Sequence, residues 1–600
     1  SAASDVYKRQ REVRMPILNS TLIIIVTFIP LFFLTGMEGR MLVPLGIAFI
    51  VALFASTVVA LTLTPVLCSY LLGKGKTDKD ISREPFVART LKKYYGQALE
   101  WALRHRTGVL GGTIALFVAA MITFFTLGRS FLPPFNEGSF TINVSTLPGI
   151  SLEESDNIGR RAEELLLEVP EIQTVARKTG RAELDEHALG VNTSEIEAPF
   201  VLGDRSHAEV VADVRKKLSV IPGVNIEIGQ PISHRIDAML SGTQARIAIK
   251  LFGDDLNRMF MLGNQIKKNI SAIDGVVDLN VEQQIERPQL KITPRREMLA
   301  RYGVSLSEFA EFIDVALAGE VVSQVYEGSR TFDLTVKVKD DERSSAAKIG
   351  DLMVDTQDGK VPLSYLAEIK SATGPNTINR ENVKRKIVIS ANVSDRDLRS
   401  VVDDIRERID ETVVLPEGYF IEYGGQFESE AAASRTLSFV SLFSLLVVFL
   451  LLYNQFRSVS QSAVILLNLP LALIGGVFIL RFTTGEISIP AIIGFISLFG
   501  IATRNGMLLV SHYNTMLSEG NSLHDTILRG SLDRLNPILM TALTSALALI
   551  PLALGGDLPG NEIQSPMAKV ILGGLITSTF LNAFVVPVVY WIMNRKKENR

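Results

Sequence analysis

The sequence is almost without cysteine, and this scarcity excludes two classes of structure. Cys68 is the single cysteine among 600 residues, and it lies in an apolar stretch. A disulfide framework needs cysteines in pairs, and a thiolate metal cluster needs several of them close together. We therefore expect neither a fold held by disulfides nor a cysteine metal site.

An excess of charge of either sign is also missing. The chain has 61 Lys and Arg residues against 64 Asp and Glu, a net charge of −3, so nothing indicates binding to nucleic acid. With 47% hydrophobic and 21% charged residues, the chain is too apolar for a soluble protein and too charged for a bundle of membrane helices alone. The composition favours a membrane domain that carries a large soluble domain.

Long apolar runs are the main feature of the sequence. About eight of them approach the roughly 20 residues that a membrane-spanning helix requires, and they lie at 17–35, 43–71, 108–127, 436–453, 461–480, 488–513, 537–555 and 567–593. Lys and Arg residues crowd the linker 73–107, which places that linker in the cytoplasm. Within the linker, 86–103 has the pattern of an amphipathic helix on the membrane surface.

Counting the crossings gives the predicted organisation of the chain. A cytoplasmic leader at 1–16, native or foreign, precedes two helices at 17–72 that end a first half of the membrane domain. The cytoplasmic linker 73–107 and one helix at 108–127 lead to a globular region, 128–435, on the other side of the membrane. Five further helices at 436–594 and a cytoplasmic tail at 595–600 complete the chain.

The globular region alternates strand patterns with helical patterns. Strands are predicted at 139–145, 224–228, 246–252, 386–393 and 419–423, and helices at 151–168, 206–219, 255–271 and 397–413. This order is typical of split βαβ units, the ferredoxin-like pattern. The stretch 289–371 interrupts the order and is predicted to be an insertion.

Several prolines recur at a nearly constant offset between the two ends of the chain. Ile29-Pro30-Leu31 returns as Ile550-Pro551-Leu552, and Pro65 returns as Pro587. Repeated halves are typical of transporters. We therefore expect this chain to hold the end of one half and all of the other, with the earlier helices of the first half lying outside it.

A positive charge lies near the middle of one apolar run. Arg504, followed by Asn505, lies deep in the run 488–513. An arginine at that depth costs a few kcal/mol or more, so it normally faces a bundle interior and has a carboxylate partner. Acidic residues near the other runs lie at their edges or in short loops, so we expect the partner outside this chain. The alternative, in which Arg504 snorkels to an interface or binds backbone carbonyls, stays open.

Several motifs resemble those of resistance–nodulation–division (RND) efflux permeases, and of their heavy-metal-efflux branch in particular. They include Phe131-Leu132-Pro133, Asn136-Glu137-Gly138, Ser145–Gly149, Lys178–Glu183, Arg235-Ile236-Asp237, Gly425–Glu428 and Arg504-Asn505. The resemblance runs from about Val13 to Met593. It implies a transporter and not an enzyme, with an α-helical membrane bundle and an α+β periplasmic domain, in the inner membrane of Gram-negative bacteria.

The resemblance also implies a mechanism and partners. Such permeases are homotrimers, driven by the proton gradient without a cofactor, that meet a periplasmic adaptor and an outer-membrane channel. On this template 128–288 and 372–435 form porter subdomains, and 289–371 is a docking subdomain. The proton relay falls on Arg504, Asn505, Arg534 and Thr541, and the acidic relay residues of full-length members lie upstream of Val13. Arginine fits a fixed charge, because it does not deprotonate.

The substrate positions of the family's silver and copper pumps hold methionine. Here they match Asn143, Glu195 and Ala238, with Met239 only adjacent. Because soft Cu(I) prefers sulfur ligands, the resemblance predicts that a copper-type site is absent.

A nearby loop offers oxygen and imidazole donors instead. The candidate metal ligands are Glu183, Asp185, Glu186, His187 and Glu195, and such donors suit Zn²⁺, Co²⁺ or Ni²⁺. An ordinary solvated acidic loop is the competing interpretation, and His234 is expected to be structural. Two other functions stay open: export of drugs or other small molecules, and a non-transporting piece that needs a separate N-terminal half.

Overall fold

The chain folds into a bundle of long apolar helices, built from both of its ends, and an α+β region between them. The computed structural model describes residues 17–72, 85–133, 135–147, 149–180, 190–241, 245–282, 284, 287–375, 377–556, 558 and 560–598. Seven of the described helices are long and apolar enough to cross a membrane, and an eighth apolar helix, Ile17–Phe33, is shorter.

These helices are named M1 to M8 in chain order. They are M1 (Ile17–Phe33), M2 (Gly36–Cys68), M3 (Arg106–Thr126), M4 (Gln426–Phe456), M5 (Val459–Thr483), M6 (Ile489–Ser518), M7 (Leu523–Leu554) and M8 (Gln564–Arg595). Each predicted run falls on one of them, so the apolar pattern located all eight. M3 leads into β1 (Gly128–Arg129), which pairs in parallel with Glu486–Ile487 just before M6.

Two predicted boundaries in the membrane part need correction. M1 ends in a 3₁₀ turn, Ile29–Phe33, whose second residue is Pro30. The whole helix is too short to be counted with the seven spans. M7 begins at Leu523 and not at 537, because Ser522 caps it by accepting a hydrogen bond from the backbone N–H of Asp525. The first turns of M7 are polar, so the apolar run begins well after the start of the helix.

M5, M6 and M8 form the centre of the bundle. The apolar windows of these three helices are 61%, 72% and 61% buried, whereas those of M2, M3, M4 and M7 are 6% to 22% buried. M5 and M8 approach closely at Gly475 and Gly573, where a Cβ on Gly475 would lie 2.0 Å from the carbonyl oxygen of Gly573. Small residues allow this approach, as is common between membrane helices.

The α+β region contains strands β2 to β16, numbered in chain order. They are β2 (Ser139–Ser145), β3 (Ala176–Thr179), β4 (Thr193–Pro199), β5 (Asn225–Gly229), β6 (Ile247–Phe252), β7 (Val276–Val281), β8 (Arg287–Pro294), β9 (Glu320–Glu327), β10 (Arg330–Val336), β11 (Met353–Thr356), β12 (Gly359–Pro362), β13 (Ala367–Gly374), β14 (Asn379–Glu381), β15 (Lys384–Val393) and β16 (Phe420–Gly425). The five predicted strands outside the insertion are confirmed within two residues at each end.

The first sheet is antiparallel, with strand order β3-β4-β2-β5. Helices Leu152–Leu167 and His207–Leu218 cover one face, against a core that includes Phe140, Ile142 and Val144. Side chains alternate along a strand, so Thr141 and Asn143 point to the other face. That face carries the candidate substrate residues.

The second sheet repeats this arrangement. Its strand order is β14-β15-β6-β16, and β7 also pairs with β15. Helices Leu256–Ile270 and Leu398–Thr412 pack against its core. All four predicted helices of the two units are confirmed within one residue at each end, because caps fix their starts: Ser206 and Glu209 form a full capping box, and Ser151 accepts from the N–H of Glu154.

The insertion leaves the second unit after β7 and returns before β14. Its antiparallel strands β8 and β13 run side by side and enclose helices Arg296–Arg301 and Leu306–Ile313, a π turn at Asp314–Ala318 and short segments at Asp340–Arg343, Ala346–Gly350 and Leu363–Leu366. Hairpin β9–β10 is exposed along its whole length. The predicted limits 289 and 371 fall inside β8 and β13, so the observed insertion is slightly longer.

Candidate functional site

A row of polar side chains crosses the face of the first sheet that is opposite its helices. Lys178, Glu195, Asn143 and Glu227 are in register on β3, β4, β2 and β5. Lys178 Nζ lies 2.6 Å from Glu195 Oε1, and this hydrogen bond raises the pKa of Lys178. Asn143 is buried, with 3% of its surface exposed. The structure therefore makes neighbours of Asn143 and Glu195, two of the predicted substrate residues.

The helix Pro231–Ser241 lies beside this row and contacts β2. His234 and Ala238 are one turn apart and share a face of the helix. The His234 ring fills the space in front of Gly229, where a Cβ would lie 2.1 Å from Nε2. Met239 is 66% exposed, so its thioether points away from the buried row.

His234 and Glu227 belong to this site although neither was predicted as a site residue. His234 is buried, neither ring nitrogen has a hydrogen-bond partner among the described residues, and burial lowers its pKa to about 4. Burial raises the pKa of Glu227, whose Oε1 accepts a hydrogen bond of 3.4 Å from Ser390 of β15. The site thus lies where the two sheets meet. Alternation along β5 was the available signal for Glu227.

The predicted metal ligands lie mostly outside the described residues. Glu183, Asp185, Glu186 and His187 are in the stretch 181–189, which the structure does not describe. Glu195 is described, and it is paired with Lys178. In the described part of the chain, no group of three or more His, Cys, Asp or Glu side chains is placed to hold a metal ion. Metal binding by this loop stays a prediction.

The helix Pro231–Ser241 is tied to the membrane part at both ends. Near its C-terminal end, Gln426 Nε2, from the first residue of M4, donates a 2.7 Å hydrogen bond to Asp237 Oδ1, and burial raises the pKa of Asp237 to about 6. At its start, Glu137 accepts hydrogen bonds from the N–H groups of Ile232 and Ser233, at 2.6 and 3.2 Å.

The motif containing Glu137 also reaches the loop between M7 and M8. The N–H of Asn136 donates a 3.1 Å hydrogen bond to Glu562 Oε1, and Glu562 is buried. Three of the motifs that carry the family resemblance, at 136–138, 235–237 and 425–428, therefore meet at one joint. This joint connects the polar row to M4 and to the M7–M8 loop.

A second joint links M4 to the helix Leu398–Thr412. Arg399 Nη2 lies 2.6 Å from Glu430 Oε2, and Arg129 Nη1 lies 4.0 Å from Glu430 Oε1. Ser434 Oγ donates a 2.7 Å hydrogen bond to the same carboxylate. Asp397 caps the helix and also accepts from the backbone N–H of Arg129, at 3.2 Å. The end of M3, the start of M4 and the second unit are thus held together by charge.

The predicted relay residues lie on M6 and M7. Arg504 is half-buried on M6, and no carboxylate among the described residues lies within 4.0 Å of its guanidinium. Asn505 is buried. On M5, Asn468 is fully buried against Gly506: a Cβ on that glycine would lie 2.0 Å from Asn468 Nδ2. Asn468 was not predicted as a site residue. The signal that could have identified it is an amide side chain inside an apolar run.

M7 brings its predicted residues to M6 without a direct bond to Arg504. Thr541 Oγ1 donates to the carbonyls of Pro537 and Ile538, at 3.1 and 2.9 Å, and the residue is exposed. Its neighbour Ala542 packs in a cluster with Leu498 and Ala502 of M6. Arg534 follows Asp533, whose Oδ2 lies 3.6 Å from His512 Nε2 of M6. His512 and Asp533 are thus a cross-helix pair that was not predicted.

Comparisons with known proteins agree on one kind of relative. The profile of the AcrB/AcrD/AcrF family matches residues 2–594. The chain is 33% identical, over 608 residues, to the cobalt-zinc-cadmium resistance protein CzcA of Cupriavidus metallidurans. It is 28% identical, over 604 residues, to the cation efflux system protein CusA of Escherichia coli.

Coverage is nearly complete for this chain and partial for its relatives. The two matches cover 99% and 97% of this chain and 57% of each relative. A crystal structure of a heavy metal efflux pump superposes with a TM-score of 0.81 at 28% identity, covering 97% of this chain and 58% of that one. The chain therefore spans little more than half the length of these relatives.

Proposed function

This chain belongs to the AcrB/AcrD/AcrF family of RND permeases, and from that premise we propose that it is part of a proton-driven exporter of a divalent heavy-metal cation. The observation that carries the proposal is the 33% identity, over 99% of the chain, with a protein named for resistance to cobalt, zinc and cadmium. A protein named for nickel and cobalt resistance matches at 31% over the same share.

The donors around the polar row support a borderline divalent ion. The three positions that correspond to the methionines of copper-type pumps hold an amide, a carboxylate and a methyl group, at Asn143, Glu195 and Ala238. Oxygen donors bind Cu(I) poorly, whereas carboxylate and imidazole suit Zn²⁺, Co²⁺ and Ni²⁺. We propose that the loop 183–187 supplies the remaining ligands, with Glu195 released from Lys178 when the ion binds.

Arg504 is the proposed fixed charge of the proton relay. An arginine beside a carboxylate holds that group ionised until a proton arrives, and M6, which carries Arg504, has the most buried apolar window of the seven spanning helices. No carboxylate among the described residues lies within 4.0 Å of Arg504, and we propose that its partner lies upstream of Val13, as the family resemblance implies. Asn505, Arg534 and Thr541 are proposed to assist, as hydrogen-bonding or charged neighbours.

We also propose roles for the remaining parts of the chain. In each sheet, the strand that follows the first helix does not pair with the strand before that helix: β3 pairs with β4, and β7 pairs with β15. This order supports ferredoxin-like porter subdomains at 128–288 and 372–435. We propose that 289–371 docks to a periplasmic adaptor and an outer-membrane channel, and that the complete protein is a homotrimer in the inner membrane. The basic linker 73–107 and the tail then face the cytoplasm, and 128–435 faces the periplasm.

Transport by everted membrane vesicles that contain the complete pump tests the proposal. Zn²⁺ or Co²⁺ uptake should depend on the proton gradient and exceed Cu(I) and Ag(I) uptake, and Arg504→Ala should abolish it while trimers remain. Arg481→Ala removes a guanidinium from the last turn of M5 and should leave uptake unchanged. Wild-type uptake in Arg504→Ala would remove this arginine from the relay.

Two further results of the same assay would replace the proposal. Gradient-dependent uptake of an apolar dye without any cation uptake would identify an exporter of small molecules. Uptake that appears only after a second polypeptide is supplied would identify this chain as one subunit of a split permease.

A further inference from the structure

A cavity of about 400 Å³ opens at the end of the bundle, beside the linker helix Phe86–Arg104. It lies between the end of this helix, the starts of M3 and M7, and the end of M8. Its lining is Glu100, Leu103, Arg104, Arg106, His524, Trp591 and Arg595. No function proposed above uses these residues.

The walls of this cavity are held in place by contacts around them. Tyr95 donates a 2.7 Å hydrogen bond from its hydroxyl to the carbonyl of Ala583 on M8, and its ring meets Phe584 edge-on at 5.6 Å. The rings of His524 and Trp591 pack edge-to-face, with centroids 5.9 Å apart. Leu99 is completely buried under the helix. The cavity is therefore a built site and not a gap between mobile side chains.

Positive charge dominates the lining. Three guanidinium groups, of Arg104, Arg106 and Arg595, face one carboxylate, of Glu100, and among the described residues none of the three arginines has an ion-pair partner. The planar donor fork of arginine matches the oxygens of a phosphate group and binds them in pairs. The chemistry of the cavity thus fits an anionic phosphate and not a cation.

The outward face of the linker helix carries an exposed apolar stripe. Val87, Leu91, Tyr94 and Trp101 recur on one face and are 66%, 45%, 66% and 60% exposed. This apolar stripe is separate from the face that carries Leu99 and Tyr95 against the bundle. Tryptophan and tyrosine favour the depth of the lipid headgroups, and an apolar stripe at that depth is covered by acyl chains.

We propose that the cavity binds the headgroup phosphate of an anionic glycerophospholipid, whose acyl chains lie along the stripe. Basic pockets between membrane helices are known to select such headgroups. Phosphatidylcholine and phosphatidylethanolamine also carry a positively charged ammonium group. In the cavity this group would lie beside three arginines and one carboxylate, of Glu100, so these lipids should bind more weakly.

The two tryptophans of the chain, Trp101 and Trp591, provide the measurement. Trp101→Phe leaves Trp591 as the single tryptophan, inside the cavity. The purified protein is placed in bilayers of phosphatidylcholine mixed with phosphatidylglycerol, one of which carries bromine on its acyl chains as a quencher. Quenching of Trp591 then reports which lipid occupies the site. Preference for phosphatidylglycerol should be roughly five-fold or more, since each arginine near a membrane surface contributes about that much.

A matched pair of double variants tests the cavity itself. Arg106→Gln/Arg595→Gln should bring the preference for phosphatidylglycerol close to unity, since about five-fold is lost with each arginine. Lys93→Gln/Arg529→Gln removes the same charge from the linker helix and M7 outside the lining, and the preference should stay as it was. An unchanged Trp591 emission maximum and thermal midpoint show that a variant is folded.

Three results would overturn the proposal. The first is equal quenching by the two brominated lipids in the Trp101→Phe protein. The second is an equal loss of preference in the control double variant, which would indicate a diffuse charge effect. The third is displacement of phosphatidylglycerol by inorganic phosphate at constant ionic strength, which would assign the cavity to a free phosphate compound and not to a lipid.

Discussion

Removing Arg399 should destabilise the protein more than removing its ion-pair partner Glu430. The two side chains are bonded at 2.6 Å, yet the Glu430 side chain is 3% exposed and the Arg399 side chain 34%. Arg399→Met leaves the buried Glu430 carboxylate without its ion-pair partner. Glu430→Gln leaves an arginine that water can reach and an amide that still accepts from Ser434. The two substitutions should therefore differ in their cost to stability, although both break the same ion pair.

The magnitudes follow from what each variant leaves behind. Loss of one partner of a buried pair costs about 3–5 kcal/mol, and Arg129, at 4.0 Å from Glu430, compensates part of this. We expect about 2–3 kcal/mol for Arg399→Met. For Glu430→Gln we expect about 1 kcal/mol, since the Arg399 side chain is 34% exposed and a charge that water reaches loses little when its partner is removed. The double variant should recover part of the loss seen in Arg399→Met.

The assay is the thermal unfolding midpoint of the purified protein in detergent, for both single variants and the double. Arg399 also lies over the Phe427 ring, at 5.9 Å, so Arg406→Met serves as the control, because its guanidinium lies 5.7 Å from the same ring. Because Arg406 also lies 4.9 Å from the Tyr423 ring, a fall in Arg406→Met equal to that in Arg399→Met would assign the effect to contacts between guanidinium groups and aromatic rings and not to the ion pair. An equal or larger fall in Glu430→Gln would refute the asymmetry.

Three other measurements check separate parts of the structure. His234 has a folded pKa of about 4 against an ordinary 6.5, so its contribution is complete above pH 6.5 and is lost as the pH falls. The loss is about 2 kcal/mol at pH 5, and wild type minus His234→Gln at each pH isolates it from the opposite trend of Asp237. Gly506→Ala should lower the free energy of unfolding by about 1–3 kcal/mol through overpacking, because its Cβ would meet Asn468. Gly111→Ala, in open space on M3, is the control and should be neutral. Equal thermal midpoints for the two variants would contradict this packing. After Cys68→Ser, a membrane-impermeant maleimide should label Asp254→Cys in intact cells and Lys93→Cys only after lysis; the reverse pattern would invert the topology.

Helices and strands of the α+β region were predictable because their signals are local. A serine or aspartate cap fixes the start of each of the four helices predicted outside the insertion, and alternation fixes the five strands predicted there. Their observed ends therefore differ from the predicted ones by a residue or two. Pairing between distant strands was not predictable in this way. Glu227 joins Asn143 only because β5 pairs with β2, and its contact with Ser390 requires the second sheet to pack beside the first.

The candidate site was predictable in its residue types more than in its contacts. Asn143 and Glu195 were placed together from a resemblance, and the sheet register explains why they are neighbours. The motifs at 136–138, 235–237 and 425–428 gave no hint of their shared role. They hold one helix between the polar row and the membrane part, through backbone hydrogen bonds and a buried carboxylate that no local pattern reveals.

The exposure of M6 indicates which face the proposed relay uses. Gly506 faces M5, where Asn468 fills the space, and two residues along an α-helix point to nearly opposite sides. Arg504 therefore points away from M5, on the less buried side that also carries Leu508, Ser511 and His512. His512 meets Asp533 of M7 there. Arg504 lies one turn after Gly500 and shares its face of the helix, and a Cβ on Gly500 would lie 2.8 Å from Thr27 Oγ1 of M1. The proposed fixed charge therefore faces the M1 side of M6, whereas the His512–Asp533 pair lies toward M7.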